Sequence, residues 1–198
     1  MPRPTVIVFL KAPMLGRVKT RLAGALGELA ALRFHRGMAA RLIRLLVRDR
    51  RWRVILALTP RGAGRRRDLP HSACARVDQG SGELGRRMDR AFRHAPRGPA
   101  LLVGTDVPDL DRTVIAAALR ELARNDAVFG PAEDGGYWLV GIRDRRLPAI
   151  AFAGVRWSTP DALGDTRANL KHRRVALLAP LADIDTPDDY RRWRSRTR

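Results

Sequence analysis

Three stretches of this sequence concentrate residues suited to phosphate and metal chemistry. In the first, Lys11, Lys19 and Arg21 surround Gly16. Only three lysines occur among 39 Lys and Arg residues, and two of them lie in this loop. Cations, a Gly that lets backbone approach a ligand, and free N–H groups at a helix start near Thr20 suit a phosphate or diphosphate. An ordinary surface turn explains the loop equally well, and neither the P-loop spacing nor a dinucleotide Gly-x-Gly-x-x-Gly is present. The second stretch is Gly104-Thr105-Asp106-Val107-Pro108-Asp109. An Asp directly after a buried strand points into the ligand crevice of an open α/β sheet. A hard divalent ion bound with phosphates takes one or two such carboxylates. The third stretch is Asp183-Ile184-Asp185-Thr186-Pro187-Asp188-Asp189. Asp183 and Asp185 alternate in an extended segment and so share a face. One of them can complete a metal site with Asp106, and loop hydrogen bonding is an even alternative. Asp109 and Asp111 are expected to cap the helix that follows them, and Asp188 and Asp189 to sit in a helix first turn.

A Gly pair stands beside acids and aromatics in Glu133-Asp134-Gly135-Gly136-Tyr137-Trp138. This reads as a hairpin turn, or as a tight loop lining an acceptor pocket. Trp157-Ser158-Thr159 has two readings as well, a pocket lining or a helix cap behind a buried Trp. His35, His71, His94 and His172 lack zinc-like spacing and are expected on the surface or in the core. The single Cys74 excludes an internal disulfide framework and has no companion His motif. No Gly-x-Ser-x-Gly elbow occurs.

The elements that must position these residues follow from hydrophobic periodicity. Val6 to Leu10, Val54 to Leu58, Ala100 to Val103, Ala127 to Phe129, Tyr137 to Ile142 and Val175 to Leu178 read as strands, with a short one near Val77. Apolar residues at three- and four-residue steps from Thr20 to Leu46 predict helix, broken at Gly24, Gly27 or Gly37. Ser81–Ala95, Thr113–Ala123 and Thr159–Lys171 are further helical stretches. Residues 61–75 read as a basic loop with a short helix. Thr186-Pro187-Asp188-Asp189 opens a last helix, with a cap, a Pro in the first turn and acids at its positive end. Alternating strands and helices predict an α/β fold with a mostly parallel sheet.

The 198 residues fit one domain spanning 1–198. No run approaches the ~20 apolar residues of a membrane-spanning helix, and the first residues read as a strand and not a signal peptide, so a cytoplasmic protein is expected. The net charge of +19 invites nucleic acid. The arginines are spread along the chain without interleaved aromatics, so Arg50-Arg51, Arg65-Arg66-Arg67 and the tail from Arg191 read as solvated faces or ends. No specific nucleic-acid partner is expected.

The motifs in order carry a resemblance. They are Lys11-Ala12-Pro13 with Gly16 and Val18-Lys19-Thr20-Arg21-Leu22; Gln79-Gly80 with Gly82-Glu83-Leu84-Gly85 and Met88; Gly104-Thr105-Asp106 with Pro108-Asp109-Leu110; Gly130 to Tyr137; Trp157-Ser158-Thr159; and Asp183 to Asp189. The chain resembles small bacterial glycosyltransferase-like proteins of the nucleotide-diphospho-sugar transferase superfamily (GT-A fold), of the type associated with radical-SAM proteins. The resemblance implies a three-layer αβα sandwich with a Rossmann-like sheet and a Mg²⁺ or Mn²⁺ ion held by Asp106 and, of the two late acids, Asp185. It implies that Lys11, Gly16, Lys19 and Arg21 meet the phosphates, with Gln79 and Gly80 near the nucleotide or its sugar. Glu133, Asp134, Gly135, Gly136 and Tyr137, with Trp157, Ser158 and Thr159, would line the acceptor side. Lys19, Asp106 and Asp134 are the catalytic candidates. Val107 stands where Cys or another small residue is frequent, and the Asp-x-Asp of many glycosyltransferases is reduced here to Asp106 with Asp109 beyond a Pro.

The implied function is metal-dependent transfer from a nucleotide-activated donor to a small acceptor. Glycosyl transfer from a nucleotide sugar is the leading form. Nucleotidyl transfer from an NTP to a phosphorylated molecule, as in the related 2-phospholactate guanylyltransferases and molybdenum cofactor enzymes, is the alternative. A basic nucleic-acid-binding protein is the reading from another class, and it leaves the carboxylates at strand ends unexplained.

Overall fold

The computed structural model describes residues 2–66, 69 and 74–196. Arg67, His71 and the last two residues of the basic tail lie outside them. In chain order the elements are β1 (Thr5–Lys11), α1 (Thr20–Leu26), α2 (Glu28–Val47), β2 (Arg53–Thr59), β3 (Ala75–Asp78), α3 (Leu84–His94), β4 (Ala100–Val103), α4 (Arg112–Arg124), β5 (Ala127–Pro131), β6 (Tyr137–Ile142), α5 (Leu147–Ala151), α6 (Ala162–Asn169), β7 (Val175–Leu177) and α7 (Pro187–Arg196), with a 3-10 turn at Ala63–Arg65.

The strands form one sheet in the order β3-β2-β1-β4-β6-β5-β7. β1 pairs in parallel with β2 on one side and β4 on the other. Among the described residues only β6 runs against its neighbours, because the short turn at residues 132–136 makes β5 and β6 a hairpin. The two faces follow the strand period of two. Val6, Val8 and Leu10 of β1 enter the core under α2 and α4, with Leu42, Ile43, Leu46, Ile115 and Leu122. Ile7 enters the opposite core with Met88, Phe92, Leu147 and Phe152 from α3, α5 and the residue after it. Helices thus cover both faces of the mostly parallel sheet, as the sequence pattern predicts.

Local chemistry sets the helix limits. The helical run from Thr20 breaks at Gly27, whose φ of 81° and ψ of 153° lie outside the helical region. α3 starts later than the periodicity suggests, because Gly82 has φ 99° and Glu83 is extended. Asp111 caps α4 by accepting from the Thr113 and Val114 N–H groups. Asp109 does not cap; its carboxylate accepts from Arg196 Nη2 at 3.0 Å. At α7, Thr186 N–H and Oγ1 donate to Asp189 Oδ2, and Asp189 N–H returns a bond to Thr186 Oγ1, a reciprocal cap. α5 has no counterpart in the sequence reading, since its five residues are too few for a helical period to show. Among the described residues no helix is long and apolar enough to cross a membrane.

The hairpin packs onto β4 through a missing side chain. A Cβ on Gly141 would lie 2.4 Å from Val128 Cγ1 and 2.5 Å from Leu101 Cδ2. Gly141→Ala is therefore expected to destabilise by about 1–3 kcal/mol through overpacking, read as a fall of several degrees in Tm.

Candidate active site

The parallel strands β1, β2 and β4 end on one edge of the sheet, and the loops leaving them build a crevice there. The loop after β1 carries Lys11, Lys19 and Arg21, and the turn after β4 carries Asp106. The segment before α7 is fastened beside it, because Ile184 N–H donates to the Asp106 carbonyl at 3.0 Å. This bond brings Asp185 to Asp106, from a segment remote in sequence.

Lys19 sits between them. Its ammonium is 2.9 Å from Asp106 Oδ2 and 2.7 Å from Asp185 Oδ1, and it donates to the Ile184 carbonyl at 2.6 Å. The Lys19 side chain is 5% exposed, whereas those of Asp106 and Asp185 are 38% and 49% exposed. Burial by itself disfavours the ammonium, but the two carboxylates outweigh it and hold the Lys19 pKa above the ordinary lysine value. The backbone of Lys19 is left-handed, with φ 49°. Ser158, at the far side of the crevice, shares this conformation with φ 61°. Lys19 therefore differs from the expected free phosphate ligand. Its donors are committed to the two expected metal ligands and a carbonyl.

His35 of α2 lies behind this group and was not singled out by its spacing. Its Nε2–H donates to the Lys11 carbonyl at 2.8 Å, and Nδ1 lies 4.0 Å from Asp106 Oδ1. Burial holds its pKa below the usual histidine value, so the neutral ring braces the loop after β1. The inward positions Ala31, His35, Met38 and Leu42 on α2 are the signal that could have found it.

Two cavities open from the crevice and share Asp106. One, of about 220 Å³, is lined by Lys11, Lys19, Arg21, His35, Asp106 and Asp185. The other, of about 310 Å³, is lined by aromatic and aliphatic side chains with Asp106, Asp134 and Asp183. Asp183 and Asp185 thus face different cavities, with Ile184 buried between them. Burial first, then Asp185 and Asp134, push the Asp183 carboxyl up to about 6.

The remaining predicted residues divide. Gly136, Tyr137, Trp157, Ser158 and Thr159 line the larger cavity with Asp134. Glu133 and Gly135 belong to the same turn but do not line it. Gly135 has φ 84° and backs onto Pro160, whose carbonyl oxygen would lie 2.1 Å from a Cβ. Gly16, with φ 66°, turns the basic loop against Glu28. Gln79 is a correction: it is fully buried, and its amide donates to the Leu10 and Ala57 carbonyls and accepts from Arg87. It ties the ends of β1 and β2 and does not face the crevice. Gly80 is covered by Arg90, which donates to the carbonyls of Gln79 and Ser81.

This sheet with helices on both faces matches the fold of nucleotide-diphospho-sugar transferase structures. The structure is similar to that of a candidate nucleotide-diphospho-sugar transferase from Desulfovibrio desulfuricans, with a TM-score of 0.86 and 28% identity over 94% of this chain and 84% of that one. It is also similar to a CMP:2-keto-3-deoxy-manno-octonic acid synthetase complexed with CTP, with a TM-score of 0.64 and 9% identity over 98% of each chain. A Mycobacterium tuberculosis protein in complex with manganese matches with a TM-score of 0.57 and 19% identity, over 96% of this chain and 97% of that one. The chain belongs to the family described as "Uncharacterized protein conserved in bacteria (DUF2064)", whose profile matches residues 42–159. No curated protein matches the sequence.

Removing the Lys19 ammonium leaves Asp106 and Asp185 facing each other. Lys19→Met is expected to cost about 1–3 kcal/mol, less than a fully buried pair because both carboxylates reach solvent. Mn²⁺ is expected to restore more of the lost Tm in the variant than it adds to the parent protein, measured against EDTA in thermal unfolding.

Proposed function

We propose that this chain is a cytoplasmic, metal-dependent transferase that moves a glycosyl group from a nucleotide sugar to a small acceptor. The observation that carries the reading is the single carboxylate, Asp106, shared by a basic cavity and an aromatic one. A donor diphosphate in the first and an acceptor in the second would meet at Asp106. The similarity to the Desulfovibrio protein supports the donor class.

The donor set fits a divalent cation. Asp106 and Asp185 are hard oxygen ligands, and Lys19 occupies only Asp106 Oδ2 and Asp185 Oδ1. One ammonium between two carboxylates leaves that trio with a net negative charge, beside Lys11 and Arg21. Asp106 and Asp185 would hold Mg²⁺ or Mn²⁺, which would offset charge on a diphosphate leaving group. Lys11 and Arg21 line the basic cavity and would meet the phosphates. Lys19 acts by fixing Asp106 and Asp185. The acceptor oxygen forms a bond to the anomeric carbon as the bond from that carbon to the diphosphate oxygen breaks. The acceptor proton passes to a carboxylate of the second cavity, Asp134 or its neighbour Asp183.

The test is a thermal-shift panel of nucleoside diphosphates, triphosphates and nucleotide sugars with Mg²⁺, Mn²⁺ or EDTA. A nucleotide at 100 times its dissociation constant is expected to stabilise the protein by ~2.7 kcal/mol, and EDTA to remove the gain. Product analysis with the selected donor is expected to release a nucleoside diphosphate. Pyrophosphate release instead would establish nucleotidyl transfer. Asp106→Asn is expected to lower turnover at least about 10²-fold. Unchanged metal-dependent turnover in that variant would overturn the role of Asp106.

A further inference from the structure

The larger cavity has a chemistry of its own. Its walls are Phe9 of β1, Leu84 and Met88 of α3, Tyr137 and Trp138 of β6, and Trp157. The rings of Tyr137 and Trp157 meet nearly edge to face, with centroids 6.4 Å apart. Trp157 is seated closely on α3: a Cβ on Gly85 would lie 2.8 Å from its Cζ2. Ser158, in its left-handed conformation, follows at the rim. A positive φ at a non-glycine residue stores strain that the surroundings must hold. The volume of about 310 Å³ is at the small end of the roughly 300–1,000 Å³ typical of small-molecule sites, enough for one ring and a short arm.

Every charged residue of this lining is an acid: Asp106, Asp134 and Asp183. Among the described residues no Lys, Arg or His lines it. Arg87 approaches from outside, stacked 5.5 Å from the Phe9 ring centroid, and is turned to Gln79 Oε1. Lys19 is committed to Asp106, Asp185 and Ile184. Of the three lining acids Lys19 pairs with Asp106 alone, so a phosphate or carboxylate in this cavity would meet Asp134 and Asp183 with no cation in the lining to offset them, in surroundings drier than bulk water. Aromatic faces attract neutral rings and cations.

We propose that this cavity selects a small aromatic or apolar-bodied acceptor that presents a hydroxyl and carries no negative charge, and that it rejects phosphorylated acceptors. As an assignment to the acceptor, this rests on the transferase reading above. The selectivity itself belongs to the cavity and is measured without a donor.

The full chain is labelled with 5-fluorotryptophan, and the Trp157 ¹⁹F resonance is assigned with Trp157→Phe. The probes are phenethyl alcohol, tyramine and phenyl phosphate, each with inorganic phosphate present to fill the basic cavity. Phenethyl alcohol and tyramine are expected to shift the Trp157 resonance, with phenyl phosphate at least about tenfold weaker. Asp134 lies at an exposed turn, so its variants are expected to fold. Asp134→Asn, which can still accept from the Gly136 N–H, is expected to narrow the difference. Asp134→Arg is expected to reverse it. Phenyl phosphate acting as strongly as phenethyl alcohol, silence from all three probes, or an order unchanged in Asp134→Arg would each overturn the proposal. Nucleotides that fail to shift Tm while the probes behave as expected would overturn the transferase reading and leave the cavity's selectivity standing. The reverse pattern would remove only the acceptor class.

Discussion

A buried ammonium must find partners, and in this protein the partners of Lys19 come from the middle of the chain and from near its end. Asp106 leaves β4, Asp185 precedes α7, and Lys19 itself closes the loop after β1. With its side chain only 5% exposed, the ammonium depends on the carboxylates. The pair-and-carbonyl arrangement therefore holds three loops at one edge of the sheet, and everything that happens in the crevice happens around it. His35 supports the same group from beneath, through the Lys11 carbonyl.

The cluster also sets the field of the crevice. One positive and two negative charges leave the floor acidic, with Lys11 and Arg21 on one side and Asp134 and Asp183 on the other. The charged residues of one cavity are mixed and include three cations, and those of the other are acids alone. Asp106 lies on the wall between them. The separation needs no domain movement, since it is built from a single sheet edge and the loops leaving it.

Strands were legible because buried parallel strands read as continuous apolar runs. Val6 to Leu10 and Tyr137 to Ile142 differ little from β1 and β6. The hairpin between β5 and β6 followed from Asp-Gly-Gly chemistry. Short elements and boundaries were less legible. The five residues of α5 hold too little periodicity, and Gly82 and Glu83 cut the first turn from α3. Asp109 looked like a cap and instead meets Arg196, a contact that depends on where the last helix lands. Gln79 looked like a nucleotide ligand, and burial turned its amide into a tie between strand ends.

By itself the sequence determined the α/β class, the strands, and the presence of acids and lysines at strand ends. Those features rest on periodicity and turn chemistry that act over a few residues. The tertiary structure alone decided which charges meet. It set Lys19 between Asp106 and Asp185, turned Asp183 into the aromatic cavity, and brought His35 beneath the site. Burial and ion pairing depend on which distant segments are neighbours, and no local pattern in a single chain encodes that distance.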